Sequence, residues 1–285
     1  VTLATFVGTS VQTSFALSVT AKASSILYYS QVWYAVPYSV FSIPLSTALF
    51  TEMAENYSRD DFAGFKRNLV RGLDSISFYL IPCTFLLIVF STPLTRILSG
   101  SMTPEEISMT ASYLSWVSLS LPLWGISTFL QKAASSMRDM RFFTGASIAG
   151  VIIQILLCVT LTPIFGLPAI ALSILAFYGM LVGVTLAVMR RRVGALGIRT
   201  IVRGQLQSLV AGIVGTVVGA AALWAVELVI SPQSSAVAAI VTCAGAGLPA
   251  LVACVWAGAR VGNPTAVELV GTARRTVGRV LGRAA

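Results

Sequence analysis

Long apolar runs alternate with short polar breaks along almost the whole chain. A helix crosses about 30 Å of hydrocarbon with ~20 apolar residues, and the runs reach that length. The breaks contain charged residues or Gly/Pro turns, among them Phe165–Pro168 and Ser231–Gln233. The pattern therefore predicts eight membrane-spanning helices. The predicted spans are 1–21, 25–50, 73–95, 108–131, 143–163, 166–189, 207–230 and 236–258.

The composition supports an all-α, polytopic membrane bundle. Of 285 residues, 56% are hydrophobic and 10% are charged, and the mean hydropathy is +0.86, whereas a soluble domain has about 25% charged residues. There is no histidine and the four cysteines lie in apolar runs, so no metal site, cofactor, disulfide framework or catalytic arrangement is predicted. The chain starts inside an apolar run without a methionine, and we therefore expect it to be a piece of a longer protein.

The basic residues orient the predicted spans. Seventeen of the 19 Lys and Arg residues fall in breaks on one side, whereas the other side carries only Lys22 and Arg96. An excess of Lys and Arg marks the cytoplasmic side of a membrane protein. Both termini are therefore predicted to be cytoplasmic, with the spans arranged as four outward hairpins. This topology explains the net charge of +9, and no basic run outside the membrane-flanking breaks indicates a nucleic-acid partner.

Polar side chains divide the chain into six plus two spans. They occur within the first six spans, whereas the last two are built mainly from Val, Ala, Leu, Ile and Gly. The predicted parts are a six-helix lobe (1–189), a basic cytoplasmic linker (190–206), two extra helices facing lipid or a lipid tail (207–258) and a basic amphipathic cytoplasmic tail (259–285). The tail and segment 58–72 either lie as interfacial helices on anionic lipid or are solvated ends of spans.

The second predicted span carries more polar and aromatic side chains than an anchor needs. Its polar positions recur every three or four residues and so share one helical face, which in a membrane faces a bundle interior or an aqueous cavity. Pro37 and Pro44 predict kinks, and kinked helices with polar faces are typical of alternating-access transporters. The other interpretation is helix–helix contact with an interfacial aromatic belt. The candidate cavity residues are Tyr28, Gln31, Tyr34, Tyr38 and Ser42, together with Gln12 in the first span.

Three stretches, taken in their order and spacing, resemble a known family. The first is YYSQVWYAVPYSVFSIPLSTALFTEMAENYSRDDF, the second is FSTPLTRILSG, and the third is LQKAASSMRDMRFFTGASIAGVIIQILLCVTLTPIFGLPAIALSILAFYGMLV. They resemble, respectively, the seventh and eighth helices, the segment after the ninth helix, and the tenth to twelfth helices of the MurJ (MviN) lipid II flippases. That family belongs to the multidrug/oligosaccharidyl-lipid/polysaccharide exporter superfamily.

This resemblance implies the C-terminal portion of a fourteen-helix flippase, in which two extra helices form a groove for a polyprenyl tail. It implies lipid II as the lipid-linked substrate, the bacterial cytoplasmic membrane as the location, and a missing N-terminal lobe and cell-wall synthesis proteins as partners. Many family members carry an arginine just after the tyrosine pair that serves a cationic cavity, but Gln31 and Val32 stand there in this chain. Either the other lobe supplies the positive charge, or this chain binds its substrate differently.

Two further functions stay open on the sequence. A drug/cation or polysaccharide-lipid exporter of the same superfamily would share the fold, although a drug/cation exporter usually needs only twelve helices and a buried acidic residue. A non-transporting scaffold could recruit cell-wall enzymes through basic cytoplasmic segments. Such a scaffold would not need a polar, proline-containing stripe inside the membrane.

Overall fold

Helices make up almost all of the described chain. A computed structural model describes residues 2–98, 100, 102–195, 197–228 and 235–281. These residues form α-helices joined by short turns, and the predicted all-α fold is confirmed. The predicted turn Ser231–Gln233 and residues 282–285 lie outside the described part.

The helices are numbered in chain order. A π-helical segment, Tyr38–Ser42, separates α2 from α3. The α-helices are α1 (Thr2–Val19), α2 (Ala23–Pro37), α3 (Ile43–Ser58), α4 (Phe62–Val89), α5 (Ser91–Leu98), α6 (Pro104–Ser118), α7 (Leu121–Ser136), α8 (Arg141–Phe165), α9 (Leu167–Val193), α10 (Ile198–Glu227), α11 (Ala236–Arg260) and α12 (Pro264–Leu281).

Five of the described helices are long and apolar enough to cross a membrane: α4, α8, α9, α10 and α11. They coincide with the third and the last four predicted spans. The spans predicted over 25–50 and 108–131 are each built from two shorter helices, and Leu119 and Ser120 separate the second pair. An unbroken apolar run does not reveal such interruptions, because a local change in backbone hydrogen bonding leaves the apolar composition unchanged.

The first interruption lies where the sequence predicts kinks. Pro37 ends α2 with ordinary helical angles (φ −61°, ψ −37°), and the π-helical segment begins at the next residue. A π turn adds one residue to a helical turn, and such turns often occur at functional sites. Pro44 lies in the first turn of α3, which follows the π-helical segment directly. Because proline has no backbone N–H, it cannot donate to the carbonyl one turn earlier in that segment.

Helix α4 lies at the centre of the bundle, and α10 and α11 lie at its edge. In the most apolar stretch of α4, 61% of residues are buried, against 22% in α10 and 28% in α11. Helix α10 packs on α4 and α11, so the last two long helices form one layer with a largely exposed apolar surface.

Of the two interpretations of segment 58–72, the structure agrees with the end of a long helix and not with a separate interfacial helix. Helix α4 begins at Phe62, where the Asp61 side chain accepts a hydrogen bond from the Gly64 N–H at 2.9 Å, and continues without a break into the bundle. Phe65 and Leu69 are fully buried in the main hydrophobic core. Their apolar face continues in helical register into Leu73, so an unbroken helix buries the whole stripe inside the protein instead of on lipid.

Local hydrogen bonds and one glycine turn define several helix ends. Thr103 and Glu106 form a capping box at the start of α6, and the Asn263 side chain accepts hydrogen bonds from the first turn of α12. Gly166 has φ +63° in the tight turn between α8 and α9, a left-handed angle that suits glycine. Glu106 also pairs with Lys22 in the α1–α2 turn, and the bond from Lys22, followed by the bond from the Thr103 backbone N–H, lowers the pKa of the Glu106 carboxyl group.

A charged cluster joins the α7–α8 turn to the end of α9. The Arg192 guanidinium donates to Asp139 at 2.6 Å and lies over the Phe142 ring at 5.1 Å. The backbone N–H of Arg141 also donates to Asp139 at 2.9 Å. The bond from the Arg141 backbone, followed by the bond from Arg192, lowers the pKa of Asp139. This carboxylate is therefore charged at neutral pH and links the α7–α8 turn to the end of α9.

A substitution tests the close packing of α4 on α7. A Cβ atom at Gly72 would overlap the Phe129 ring, so Gly72→Ala should lower the free energy of unfolding by about 1–3 kcal/mol through overpacking. Thermal unfolding in detergent measures the change. Gly183→Ala in α9 is the matched control, because open space surrounds that position, and it should leave stability unchanged or slightly higher. Equal stability of Gly72→Ala and the parent protein would contradict the packing.

Candidate functional site

A polar cavity of about 580 Å³ lies among helices α1, α2, α6, α7 and α9. Its volume falls in the range of small-molecule sites, ~300–1,000 Å³. Hydroxyl, amide and aromatic side chains dominate its wall. The lining residues are Thr9, Gln12, Thr13, Ser24, Leu27, Tyr28, Gln31, Tyr34, Tyr113, Val117, Trp124, Ile174 and Tyr178.

Four of the six candidate residues from the sequence line this cavity together. Gln12 comes from α1, and Tyr28, Gln31 and Tyr34 come from α2. Tyr28 is 67% exposed and stands at the open side, whereas Tyr34 is 3% exposed and forms part of the inner wall. The cavity therefore joins the polar positions of the first two predicted spans.

Tyr38 and Ser42 do not line the cavity. The Tyr38 hydroxyl is 3.1 Å from the Thr128 Oγ1 atom, and the fully buried Ser42 donates to the Gly125 carbonyl at 3.2 Å. Tyr34 and Tyr38 lie one turn apart on the face that packs on α7, beside the face of Tyr28 and Gln31. The predicted single stripe is therefore two adjacent faces, one polar and exposed and one buried against a neighbouring helix.

Stacked aromatic rings form the inner wall of the cavity. The Trp124 ring of α7 stacks on Tyr34 at 4.9 Å and on Tyr38 at 3.7 Å between ring centroids. The Tyr178 ring of α9 lies 6.4 Å from the Trp124 ring. The Tyr34 hydroxyl is 2.7 Å from the Ser120 Oγ atom. Ser120 belongs to the break between α6 and α7, so the wall forms where this break meets the end of α2.

Sequence analysis missed Trp124, Tyr178 and Tyr113 as cavity residues. Each lies on a different helix from the predicted stripe, and which of these helices meet α2 is decided by tertiary packing. One signal in the sequence could have indicated them. Each is a Trp or Tyr inside an apolar span, and the polar atom of such a ring usually has a hydrogen-bonding partner when it is buried.

The cavity wall carries no formal charge. None of the lining residues is Lys, Arg, Asp or Glu, and among the described residues no group of three metal-binding side chains occurs. Buried Asp74 lies in α4 against Gly204 of α10, away from this cavity. Such a wall can hydrogen-bond and stack on an uncharged polar group, but it cannot neutralise a diphosphate.

Comparison with known proteins gives the family of the chain. The family model described as "Lipid II flippase MurJ" matches residues 1–242. The chain belongs to the MurJ lipid II flippase family. Its helices and composition make it a multi-pass protein of the bacterial cytoplasmic membrane.

Individual MurJ relatives match only in part. The probable lipid II flippase MurJ of Borreliella burgdorferi is 29% identical over 166 residues, which cover 57% of this chain and 33% of that protein. The corresponding protein of Rickettsia prowazekii is 30% identical over 110 residues, 38% of this chain and 22% of that protein. The chain therefore spans about a third or less of the curated relatives it matches.

A solved structure has the same fold. The structure described as "Lipid II flippase MurJ, inward closed conformation" superposes with a TM-score of 0.69 at 20% identity, over 88% of this chain and 50% of that chain. At this identity the likeness shows the fold alone. The chain thus covers about half of a MurJ-like helix bundle.

Cysteine labelling tests whether the cavity contains water. In a variant lacking Cys83, Cys158, Cys243 and Cys254, Gln31→Cys should react with a small water-soluble maleimide, because Gln31 lies exposed on the cavity wall. Ile26→Cys is the matched control: Ile26 lies on the same helix but is fully buried, so it should stay unlabelled. Complete protection of Gln31→Cys under every labelling condition would contradict the cavity.

Proposed function

We propose that this chain forms one half of an alternating-access transporter that moves lipid II, a lipid-linked cell-wall precursor, from the inner to the outer leaflet. The observation that carries the proposal is the polar, aromatic-walled cavity inside a MurJ-family helix bundle. Moving a lipid across a membrane breaks no covalent bond, so the proposed protein is a transporter and not an enzyme. The other half of the cavity would come from the part of the protein outside this chain.

The neutral wall suggests which part of the substrate this half contacts. Hydroxyls, amides and stacked aromatic rings suit the uncharged carbohydrate and peptide portions of a lipid-linked precursor. The resemblance places an arginine at Val32 in other members, but Val32 is apolar and 37% exposed. We infer that the groups neutralising the diphosphate belong to the other lobe, because phosphate oxygens form their strongest hydrogen bonds with cationic donors and this wall has none.

Helices α10 and α11 fit the proposed role of a groove for the lipid tail. Their surfaces expose large apolar side chains, including Val217 (64%), Trp224 (67%), Leu248 (64%) and Val252 (69%). Exposing such apolar side chains to water is unfavourable, whereas contact with acyl or polyprenyl chains costs no free energy because those chains are equally apolar. We assign these helices to contact with the tail and the surrounding lipid.

The alternatives receive less support from the cavity. A cation exporter needs an acidic group at its site, and none of the lining residues is acidic. A scaffold that only recruits cell-wall enzymes would not need a polar cavity at membrane depth. We propose that the basic tail, which begins with α12, binds anionic lipid. We also propose cell-wall synthesis proteins as partners of the whole protein.

Depletion of the full-length protein tests the proposed transport. Lipid II should accumulate on the inner leaflet, because its route to the outer leaflet is removed. The measurement is the fraction of lipid II reached by an external enzyme or probe in spheroplasts. A leaflet distribution equal to that of undepleted cells would sink the proposal, and re-expression of the parent gene is the control for recovery.

A charge on α10 tests the tail groove separately. Val217→Lys places an ammonium group in the middle of the exposed apolar surface of α10, where it should reduce the flipping rate of long-chain substrate by disfavouring the tail. Val217→Leu is the matched control and should flip normally, because it keeps an apolar side chain. Normal flipping by Val217→Lys at normal expression would count against the groove while leaving the transporter proposal intact.

A further inference from the structure

A second cavity, of about 610 Å³, lies where the first turns of α4 meet the turn between α9 and α10, the start of α10 and the start of α12. The charge pattern predicts that this end of the bundle faces the cytoplasm. The lining contains both signs of charge. Its charged residues are Lys66, Arg67, Arg71 and Asp74 of α4 and Glu268 of α12.

Asp74 differs from the other charged residues because it is buried. It is 7% exposed, and no other charged side chain in the described part of the protein is buried. The Asp74 Oδ1 atom is enclosed and has no hydrogen-bonding partner among the described residues. An ionised carboxylate is unfavourable in such a place unless it is paired or hydrogen-bonded, and an unpaired group takes up a proton instead.

The basic residues of the cavity do not pair with Asp74. Arg71, nearly one turn earlier in α4, has a guanidinium nitrogen 3.7 Å from a carboxylate oxygen of Glu268. Lys66 and Arg67 lie about two turns earlier. Neither they nor Asp74 form an ion pair within the part of the chain that the structure describes. Asp74 therefore has no direct counter-ion.

The polar groups around Asp74 are bonded elsewhere. The hydroxyls of Ser75 and Thr265, which line the same cavity, are 3.1 Å apart and bond to each other. On α10, the Gln205 amide donates to the Ser77 hydroxyl instead of to the carboxyl group. The neutral form of Asp74 is thus the form that this packing suits.

Helix α10 closes over the carboxyl group at Gly204. A Cβ atom at this position would overlap the Asp74 Oδ1 atom, so the missing side chain lets the α10 backbone lie directly against it. An ionised carboxylate accepts several hydrogen bonds, and this contact leaves no room for the water molecules that would donate them. Hydration of an ionised Asp74 therefore requires α10 to move away from α4.

We propose that Asp74 is a proton-binding site, and that release of its proton into the cytoplasmic cavity loosens α10 from α4. The carboxyl O–H bond breaks, the proton passes to water in the cavity, and the carboxylate that remains is hydrated from the same side. The α4–α10 packing is complete while Asp74 is protonated and is lost as the pH rises through its titration. This site does not depend on lipid II being the substrate.

Infrared difference spectroscopy of the full-length protein in nanodiscs tests the proton directly. A protonated carboxyl group has a C=O stretching band separate from the bands of a carboxylate. The parent spectrum minus that of Asp74→Asn should contain this band at neutral pH and lose it at alkaline pH. Asp139→Asn is the matched control and should keep the band, because Asp139 is ionised by its bonds from Arg141 and Arg192. No Asp74-dependent band at neutral pH would overturn the proposal.

Cysteine labelling tests whether the proton keeps α10 on α4. Ser208 lies one turn beyond Gly204 on the same face of α10 and is fully buried. In the variant without native cysteines, Ser208→Cys should react several-fold faster with a water-soluble maleimide at alkaline pH than the same cysteine combined with Asp74→Asn. Comparison at equal pH cancels the ionisation of the thiol itself. Equal rates at alkaline pH would overturn the proposed loosening.

A glycine substitution tests the same contact where Asp74→Asn does not fold. The methyl group of Gly204→Ala would overlap the Asp74 carboxyl group and should keep α10 away from α4 at any pH. Gly183→Ala in α9 is the matched control, since open space surrounds it. At neutral pH, Ser208→Cys should react several-fold faster with Gly204→Ala than with Gly183→Ala, and the two rates should converge at alkaline pH. Equal rates at neutral pH would contradict the proposal.

Discussion

The need to satisfy hydrogen bonds inside hydrocarbon is the constraint on which the rest of this structure depends. Helices satisfy most backbone groups, and the two interruptions in the bundle lie side by side. Tyr34 bonds to Ser120 in the break between α6 and α7, while Ser42 in the π-helical segment donates to the Gly125 carbonyl. Hydrogen bonds thus join the α2–α3 region to the α6–α7 region at both interruptions, and the cavity lies beside them.

Charge is separated from this cavity throughout the chain. Its wall contains amides, hydroxyls and rings, whereas the ion pairs of Lys22 with Glu106 and of Arg192 with Asp139 lie at turns. An isolated charge inside a membrane is costly and is usually kept where it acts directly on a substrate or ion. A half-cavity without charge therefore agrees with the proposal that the other lobe of the transporter carries the cationic groups.

The edge of the bundle is built on a different principle from its centre. Helix α4 buries its apolar side chains against α7 and α10, and glycine at Gly72 lets the Phe129 ring approach its backbone. Helices α10 and α11 instead expose Val217, Trp224 and Val252. A core helix gains from packing, whereas a lipid-facing helix needs only apolar side chains of any shape, and this difference explains why the last two spans have such a plain composition.

The sequence by itself determined the membrane class, the all-helical fold, most spans and several helix ends. Apolar run length and local caps such as Thr103–Glu106 and Asn263 depend on neighbours a few residues away. It also identified Gln12, Tyr28, Gln31 and Tyr34, because polar side chains in an apolar span are conspicuous. Only the tertiary structure decided that Phe65 and Leu69 belong to the core, that Tyr38 and Ser42 pack on α7, and that Trp124 and Tyr178 complete the wall. Those outcomes depend on which helices meet. Contacts such as Ser42–Gly125 and Tyr38–Thr128, which are 83 and 90 positions apart, leave no local pattern in the sequence.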